Sequence, residues 1–140
     1  MRYFVINLPE RSDRLATFNA KMAAMTFANA IERHIGVKPL VPTGWSTSPG
    51  AYGCYQSHLA VLLRACLGAT IDDITVFEDD AFPVENADNI LREFFAHLPD
   101  DWCMAYLGGQ HVSGTRPTPV NEHVLRGHNA DVKSVAMTAD

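Results

Sequence analysis

Three groups of residues in this chain have the types and spacing to do chemistry. The first is Glu78-Asp79-Asp80, directly after the apolar run Ile74 to Phe77. Adjacent carboxylates repel one another unless positive charge offsets them, and a divalent cation would do so. Mg²⁺ and Mn²⁺ favour oxygen ligands. Mg²⁺ takes one or two carboxylates together with waters and substrate phosphates, which suits a metal shared with a diphosphate. While the chain stays extended, alternation places Glu78 and Asp80 on one side and Asp79 on the other. The competing reading is a solvated acidic turn. The second group is Asn7, Arg11, Asp13 and Arg14. A helix N-terminus there would offer free N–H groups to an anion. Arg11 and Arg14 have the fork geometry for phosphate, and Asn7 could bond a base or ribose. Otherwise the arginines are surface residues and Asp13 is a cap. The third group is Gly53-Cys54-Tyr55-Gln56-Ser57-His58. Cys54 and His58, four apart, could face one metal, but no second pair has zinc-like spacing, which argues against a zinc site. A cysteine nucleophile beside His58 lacks an orienting third group. His58 therefore reads as a structural hydrogen-bonding residue at the edge of an apolar stripe, with Ser57 pointing elsewhere.

Strands and helices must position these groups. Tyr3 to Leu8 is aromatic and β-branched, which predicts a buried first strand ended by Pro9. Ser12 or Asp13 would cap a helix carrying Leu15, Phe18, Met22 and Met25. A second strand is expected near Ile31 to Val37, and a loop over 39–50, where Pro39, Pro42, Gly44, Pro49 and Gly50 fall. The helix opening at Gly53 has the stripe Tyr55, Leu59, Leu62, Leu63, Cys66 and Leu67, with Gly68 as its stop. Ile74 to Phe77 reads as a strand covered on both faces. A helix with Ile90, Leu91, Phe94, Phe95 and Leu98, capped by Asp88, should follow. Trp102 to Leu107 reads as a strand, 108–121 as a long loop, and His123 to Leu125 and Val132 to Met137 as short strands. This alternation implies a three-layer α/β domain with a mostly parallel sheet. Ligands bind such sheets at the carboxyl ends of strands, here after Leu8, Phe77 and Leu107.

The 140 residues suit one domain. With 47% hydrophobic and 19% charged residues, the chain is neither disordered nor collagen-like nor a coiled coil. A net charge of −5 argues against a broad basic surface for nucleic acid. No apolar run approaches the roughly 18 residues of a membrane helix, and the N-terminal run is too short for a signal core. Three cysteines, Cys54, Cys66 and Cys103, suit reduced thiols in a cytoplasm.

Taken in order, three stretches resemble glycosyltransferase family 25, which includes lipooligosaccharide β-galactosyltransferases and collagen-type galactosyltransferases. They are Tyr3-Phe4-Val5-Ile6-Asn7-Leu8-Pro9-Glu10-Arg11-Ser12-Asp13-Arg14-Leu15, Gly53-Cys54-Tyr55-Gln56-Ser57-His58-Leu59 and Val76-Phe77-Glu78-Asp79-Asp80-Ala81. The Tyr106-Leu107-Gly108-Gly109 stretch extends the likeness. The resemblance implies a GT-A-like fold, a UDP-sugar donor carrying galactose or glucose, and Mn²⁺ or Mg²⁺ as cofactor. In that picture Asn7, Arg11, Arg14 and Glu78 line the donor. Asp80 and Glu78 hold the metal in place of a D-x-D motif, and Asp79 and Asp80 are the catalytic candidates. Ser57 and His58 support the site. The family is mostly inverting, which calls for a general base, with Asp79 a candidate. The acceptor would be a glycan, a protein or another hydroxyl compound, in lipopolysaccharide biosynthesis or a related pathway.

The family's catalytic domain is usually longer. One domain is therefore expected over 1–140, with a donor-binding half at 1–109 and a shortened C-terminal part at 110–140. His111, His123, His128 and Asp131 are candidates there for a late ligand, though each reads more simply as a surface residue. The alternative function is a nucleotide-sugar-binding module without efficient transfer, and a metal-dependent phosphohydrolase ranks last. A homo-oligomer would follow if Val132 to Met137 were an exposed sheet edge.

Overall fold

A computed structural model describes residues 1–67, 73–100 and 102–108, together with the backbone of the strands at 118–119, 124–129 and 132–137. Of the expectations above, those for Gly68, Gly109, His111, His123 and Asp131 lie outside the described residues. The chain divides into two compact units, Met1–Val84 and Glu85–Asp140.

The first unit runs β1 (Arg2–Asn7), α1 (Ser12–Met22), a 3₁₀ turn (Ala28–Ala30), β2 (Ile31–Ile35), α2 (Pro49–Cys66) and β3 (Ile74–Glu78). Its three strands are all parallel in the order β2-β1-β3, so β1 lies in the middle. The central strand is the aromatic, β-branched run expected to be buried, and Phe4 and Val5 are indeed enclosed. Val5 sits opposite Phe77 in the β1–β3 register. The Phe77 ring meets Phe18 of α1 and stacks on Phe27, which in turn stacks on Tyr3. Phe4, on the alternate side of β1, lies under the Arg64 guanidinium of α2. Helices α1 and α2 therefore cover opposite faces, and this unit is a three-layer α/β arrangement. The chain leaves β1 toward β2 through α1 and returns through α2 to β3 on β1's other side. The carboxyl ends of β1 and β3 thus flank a topological switch point, where open parallel sheets bind ligands.

Several boundaries differ from the sequence reading. Helix α1 begins at Ser12 with Arg11 as N-cap, and neither Ser12 nor Asp13 caps it. Asp13 instead pairs with Arg11. Helix α2 begins one turn before Gly53: Pro49 takes the first helical position, and Ser48 Oγ accepts from the Ala51 N–H. The larger correction concerns which face of α2 is buried. Gly53, Ser57, Val61 and Ala65 face inward, while Tyr55, Leu62, Leu63 and Leu67 are exposed. Hydrophobic periodicity singles out the greasiest stripe, but a helix lying close on a sheet needs small residues beneath it. Gly53 is the tightest point, because a Cβ there would stand 2.6 Å from the Val37 carbonyl oxygen. Ser57, expected to point elsewhere, is 2% exposed; its hydroxyl donates to Gly53 O and accepts from the Val37 N–H. The helix is thereby fastened to the segment that follows β2.

The second unit contains α3 (Ala87–Ala96), β4 (Met104–Tyr106), β5 (Thr118–Pro119), β6 (Val124–Asn129) and β7 (Val132–Met137). Phe94 is its buried centre, packed by Phe95, Leu98, Trp102, Ala105 and Leu107. Asp88 lies in the first turn of α3 but does not cap it; the N-cap is Asn86, in the left-handed conformation at φ 59°. The sheet order is β4-β7-β6-β5, with β4 and β7 parallel and the other pairs antiparallel. One mostly parallel sheet was expected; among the described residues there are two sheets, and the second is mixed because β6 and β7 pair antiparallel. Val132–Met137 is not an edge, since β4 and β6 pair with it on either side. His128 lies on β6.

Packing at Gly53 yields the first prediction. Gly53→Ala should lower unfolding free energy by about 1–3 kcal/mol through overpacking against backbone that cannot yield. Gly50→Ala, where the nearest atom is Ser48 Oγ at 3.8 Å, should be neutral or stabilising by up to about 1 kcal/mol. Denaturant unfolding of the two variants, with unchanged m-values, checks the contrast.

Candidate functional site

The site grows from the carboxyl ends of β1 and β3. Asn7 ends β1 and is 1% exposed. Its side-chain amide donates 2.7 Å to Asp79 Oδ2 and 2.8 Å to the Arg11 carbonyl, and its Oδ1 accepts from Arg33 at 2.7 Å. A buried amide with these bonds made is a rigid junction, since each would be costly to leave unmade. Asn7 was expected to reach a base or ribose; in the fold its side chain ties β1 to the residues after β3 and to the loop entering α1.

Asp79 is 8% exposed, and both of its oxygens are engaged. Oδ2 takes Asn7 and Oδ1 takes Arg14 Nε at 3.0 Å. The same guanidinium reaches Asp80 Oδ2 at 2.5 Å. Asp80 is the outer member of this group, with 60% of its side chain exposed. It does not share a side with Glu78, as continued alternation would require. The strand ends at Glu78, and the chain turns there, with the Ala81 N–H bonded to the Glu78 carbonyl. That turn swings Asp80 onto Arg14, on the α1 side.

Glu78 faces the other layer. Its Oε1 lies 3.4 Å from Cys54 Sγ and 3.5 Å from His58 Nε2, both on α2. Hydrogen bonding from His58 holds the Glu78 carboxyl below its ordinary 4.5. Burial, reinforced by the charge of Glu78, pushes the Cys54 thiol up to about 11. The expectation that Glu78 and Asp79 lie on opposite sides of the strand therefore holds, and each serves a different helix.

Arg11 and Arg14 were read as phosphate partners. In the structure Arg11 forks onto Asp13, at 3.0 and 2.9 Å, and Arg14 bridges Asp79 and Asp80. The Arg11 pairing holds the exposed Asp13 carboxyl down at about 2. Arg33 was missed in the sequence reading. Its signal is strand order: with β2 beside β1 in parallel register, an arginine on β2 can reach the end of β1. In donor type and exposure, Asp80 and Glu78 each suit an oxygen-preferring cation, but they face opposite layers, so the fold does not bring the expected pair together. Asp79, with both oxygens engaged, is less open to a cation.

The family model described as glycosyltransferase family 25 (LPS biosynthesis protein) matches residues 41–133, about two thirds of the chain. The match takes in α2 and the acidic group after β3; Asn7, Arg11 and Arg14 precede it. No curated protein and no solved structure gives a match.

Two predictions follow the geometry. Asp79→Ala leaves the buried Asn7 amide and Arg14 short of a partner and should cost about 1–3 kcal/mol. Asp80→Ala removes an exposed pair and should cost no more than about 1 kcal/mol; equal losses in urea unfolding would contradict these placements. The depressed Glu78 pKa stabilises the fold above pH 4.5, and that contribution is lost as pH falls through the lower folded-state value. Thermal melts from pH 6 to 3 should fall more steeply in the wild type than in Glu78→Gln.

Proposed function

The chain belongs to glycosyltransferase family 25, and on that footing we propose that it moves a hexose, galactose or glucose, from a UDP-sugar to an acceptor hydroxyl in a GT-A-like fold. The observation that carries this reading is the gathering of Asn7, Arg14, Glu78, Asp79 and Asp80 around the switch point between β1 and β3. A diphosphate seated there would meet the α1 end of the first unit with Arg11 and Arg14 beside it.

Asp80, on the α1 side, would hold a divalent cation, Mn²⁺ or Mg²⁺, which when bound would offset the charge that builds on the departing diphosphate; Glu78, turned to the α2 layer, is not brought to the same ion. Arg14 adds positive charge at the same edge. Its guanidinium is held by Asp79, which Asn7 fixes in turn, so the arginine is aimed before a donor arrives. Preorganisation of this kind lowers the reorganisation cost as charge develops. With both oxygens engaged, Asp79 suits positioning better than accepting the acceptor's proton. Ser57 acts at a distance, by locking α2 to the segment after β2 and so holding His58 over Glu78.

Calorimetric titration of UDP tests the reading. Binding is expected with Mn²⁺ and not with EDTA. Asp80→Ala should weaken it roughly ten- to hundredfold, the scale of one lost charged contact. Folded protein that binds no UDP with either metal would overturn the assignment. If UDP binds, release of UDP from UDP-galactose or UDP-glucose in the presence of candidate acceptors reports transfer.

A further inference from the structure

On the α2 side of the acidic group, three different ligand-type atoms converge. Cys54 Sγ, His58 Nε2 and a Glu78 carboxylate oxygen all lie within 4.8 Å of one another. Cys54 and His58 are four apart on α2, so both project from one face of the helix. Glu78 comes from the end of β3, directly beneath. The lack of a second ligand pair in the sequence argued against zinc, but the fold supplies the further ligand as a carboxylate, and a helical pair completed in this way is a known means of holding zinc.

Two of the three edges match a tetrahedral ion directly, and the third, sulfur to imidazole nitrogen, is within 4.8 Å. A tetrahedral zinc ion with bonds of about 2.0–2.3 Å separates its ligand atoms by roughly 3.3–3.6 Å. Here the sulfur-to-oxygen edge is 3.4 Å and the nitrogen-to-oxygen edge is 3.5 Å. A nucleophile–base–acid relay is a poorer description. In a relay the thiol would face the imidazole and the carboxylate would face the ring's other nitrogen. Instead, thiol and imidazole both point at the same oxygen, Oε1. The three ligand-type atoms thus cluster around Oε1 at the surface, close enough for one ion to replace the contacts they make with one another.

We propose that Cys54, His58 and Glu78 form a site for a thiolate-preferring divalent cation of the zinc class, with a fourth position left for water or a substrate oxygen. A soft sulfur ligand selects Zn²⁺ or Co²⁺ over Mg²⁺ and Mn²⁺. On binding, the Cys54 thiol loses its proton to solvent and sulfur ligates as thiolate. The site lies on the α2 side, apart from the donor cation proposed at Asp80, which is turned toward Arg14 on the opposite layer. It does not rest on the proposed function and stands whether or not sugar is transferred.

Co²⁺ is the probe. The full chain is titrated with Co²⁺ in a Cys66→Ser, Cys103→Ser background, where Cys54 is the one remaining thiol. Expected is one equivalent of Co²⁺ with a thiolate-to-cobalt charge-transfer band, bleached by Zn²⁺ and untouched by Mg²⁺. Cys54→Ser should abolish the band. His58→Asn and Glu78→Gln, which keep the thiol, should lose it or require much more Co²⁺. Asp80→Ala should keep it. Circular dichroism establishes that each variant is folded. Zn²⁺ should also raise the melting temperature of the background protein and not of His58→Asn. No band from folded background protein, a band that survives His58→Asn and Glu78→Gln unchanged, or a band lost in Asp80→Ala would overturn the proposal. UDP binding with Mn²⁺ is read separately, so either assignment can fail alone.

Discussion

The first unit depends on one buried hydrogen bond, from the Asn7 amide to the Asp79 carboxylate. It joins the carboxyl ends of two neighbouring parallel strands at the place where the chain changes direction across the sheet. A carboxylate this deeply enclosed must be paired, and Arg14 supplies the opposite charge. Arg33 closes the remaining side of Asn7. Through these contacts β2, β1, α1 and the turn after β3 become one connected polar network. Such networks specify a unique arrangement when every member has its partners, because each alternative leaves a buried group unmatched.

The network also explains the order of the acidic residues. Glu78, still in the strand, points to α2; Asp79, the next residue, points to α1; the turn then sends Asp80 out over Arg14. Three carboxylates that would repel one another on one surface are thus distributed among three environments. One is next to a thiol and an imidazole, one is buried against an amide and a guanidinium, and one is at the surface. Distinct environments let neighbouring groups of one chemical type serve different purposes.

Helix α2 makes its own contribution through close approach. Its buried face consists of Gly53, Ser57, Val61 and Ala65, with no large side chain among them. Short side chains bring the helix down onto the sheet, and this brings Cys54 and His58 within reach of Glu78 at the strand's end. A bulkier inward stripe would lift the helix and separate those atoms.

Much of this was legible in the sequence. The apolar runs at Tyr3 to Leu8 and Ile74 to Phe77 pointed to two parallel strands, but only β1 is central and enclosed; β3 lies at the sheet edge with only Thr75 buried, so the cover expected on both its faces is incomplete. Alternation within β3 placed Glu78 and Asp79 on opposite sides. The three stretches bearing Asn7, His58 and Asp80 pointed to the family whose model matches residues 41–133. Other features were decided only by the tertiary structure. Which face of α2 is buried depended on the distance between helix and sheet, a quantity that periodicity does not carry, so the leucine stripe was misread as the inner one. The splitting of the chain into two sheets depended on long-range pairing, β4 with β7 and β6 with β5. The partners of Asn7, and the convergence of Cys54 with Glu78, join residues 72 and 24 positions apart. Local sequence sets which conformations a segment favours, while side-chain partnerships at such separations exist only once strands and helices have been brought together.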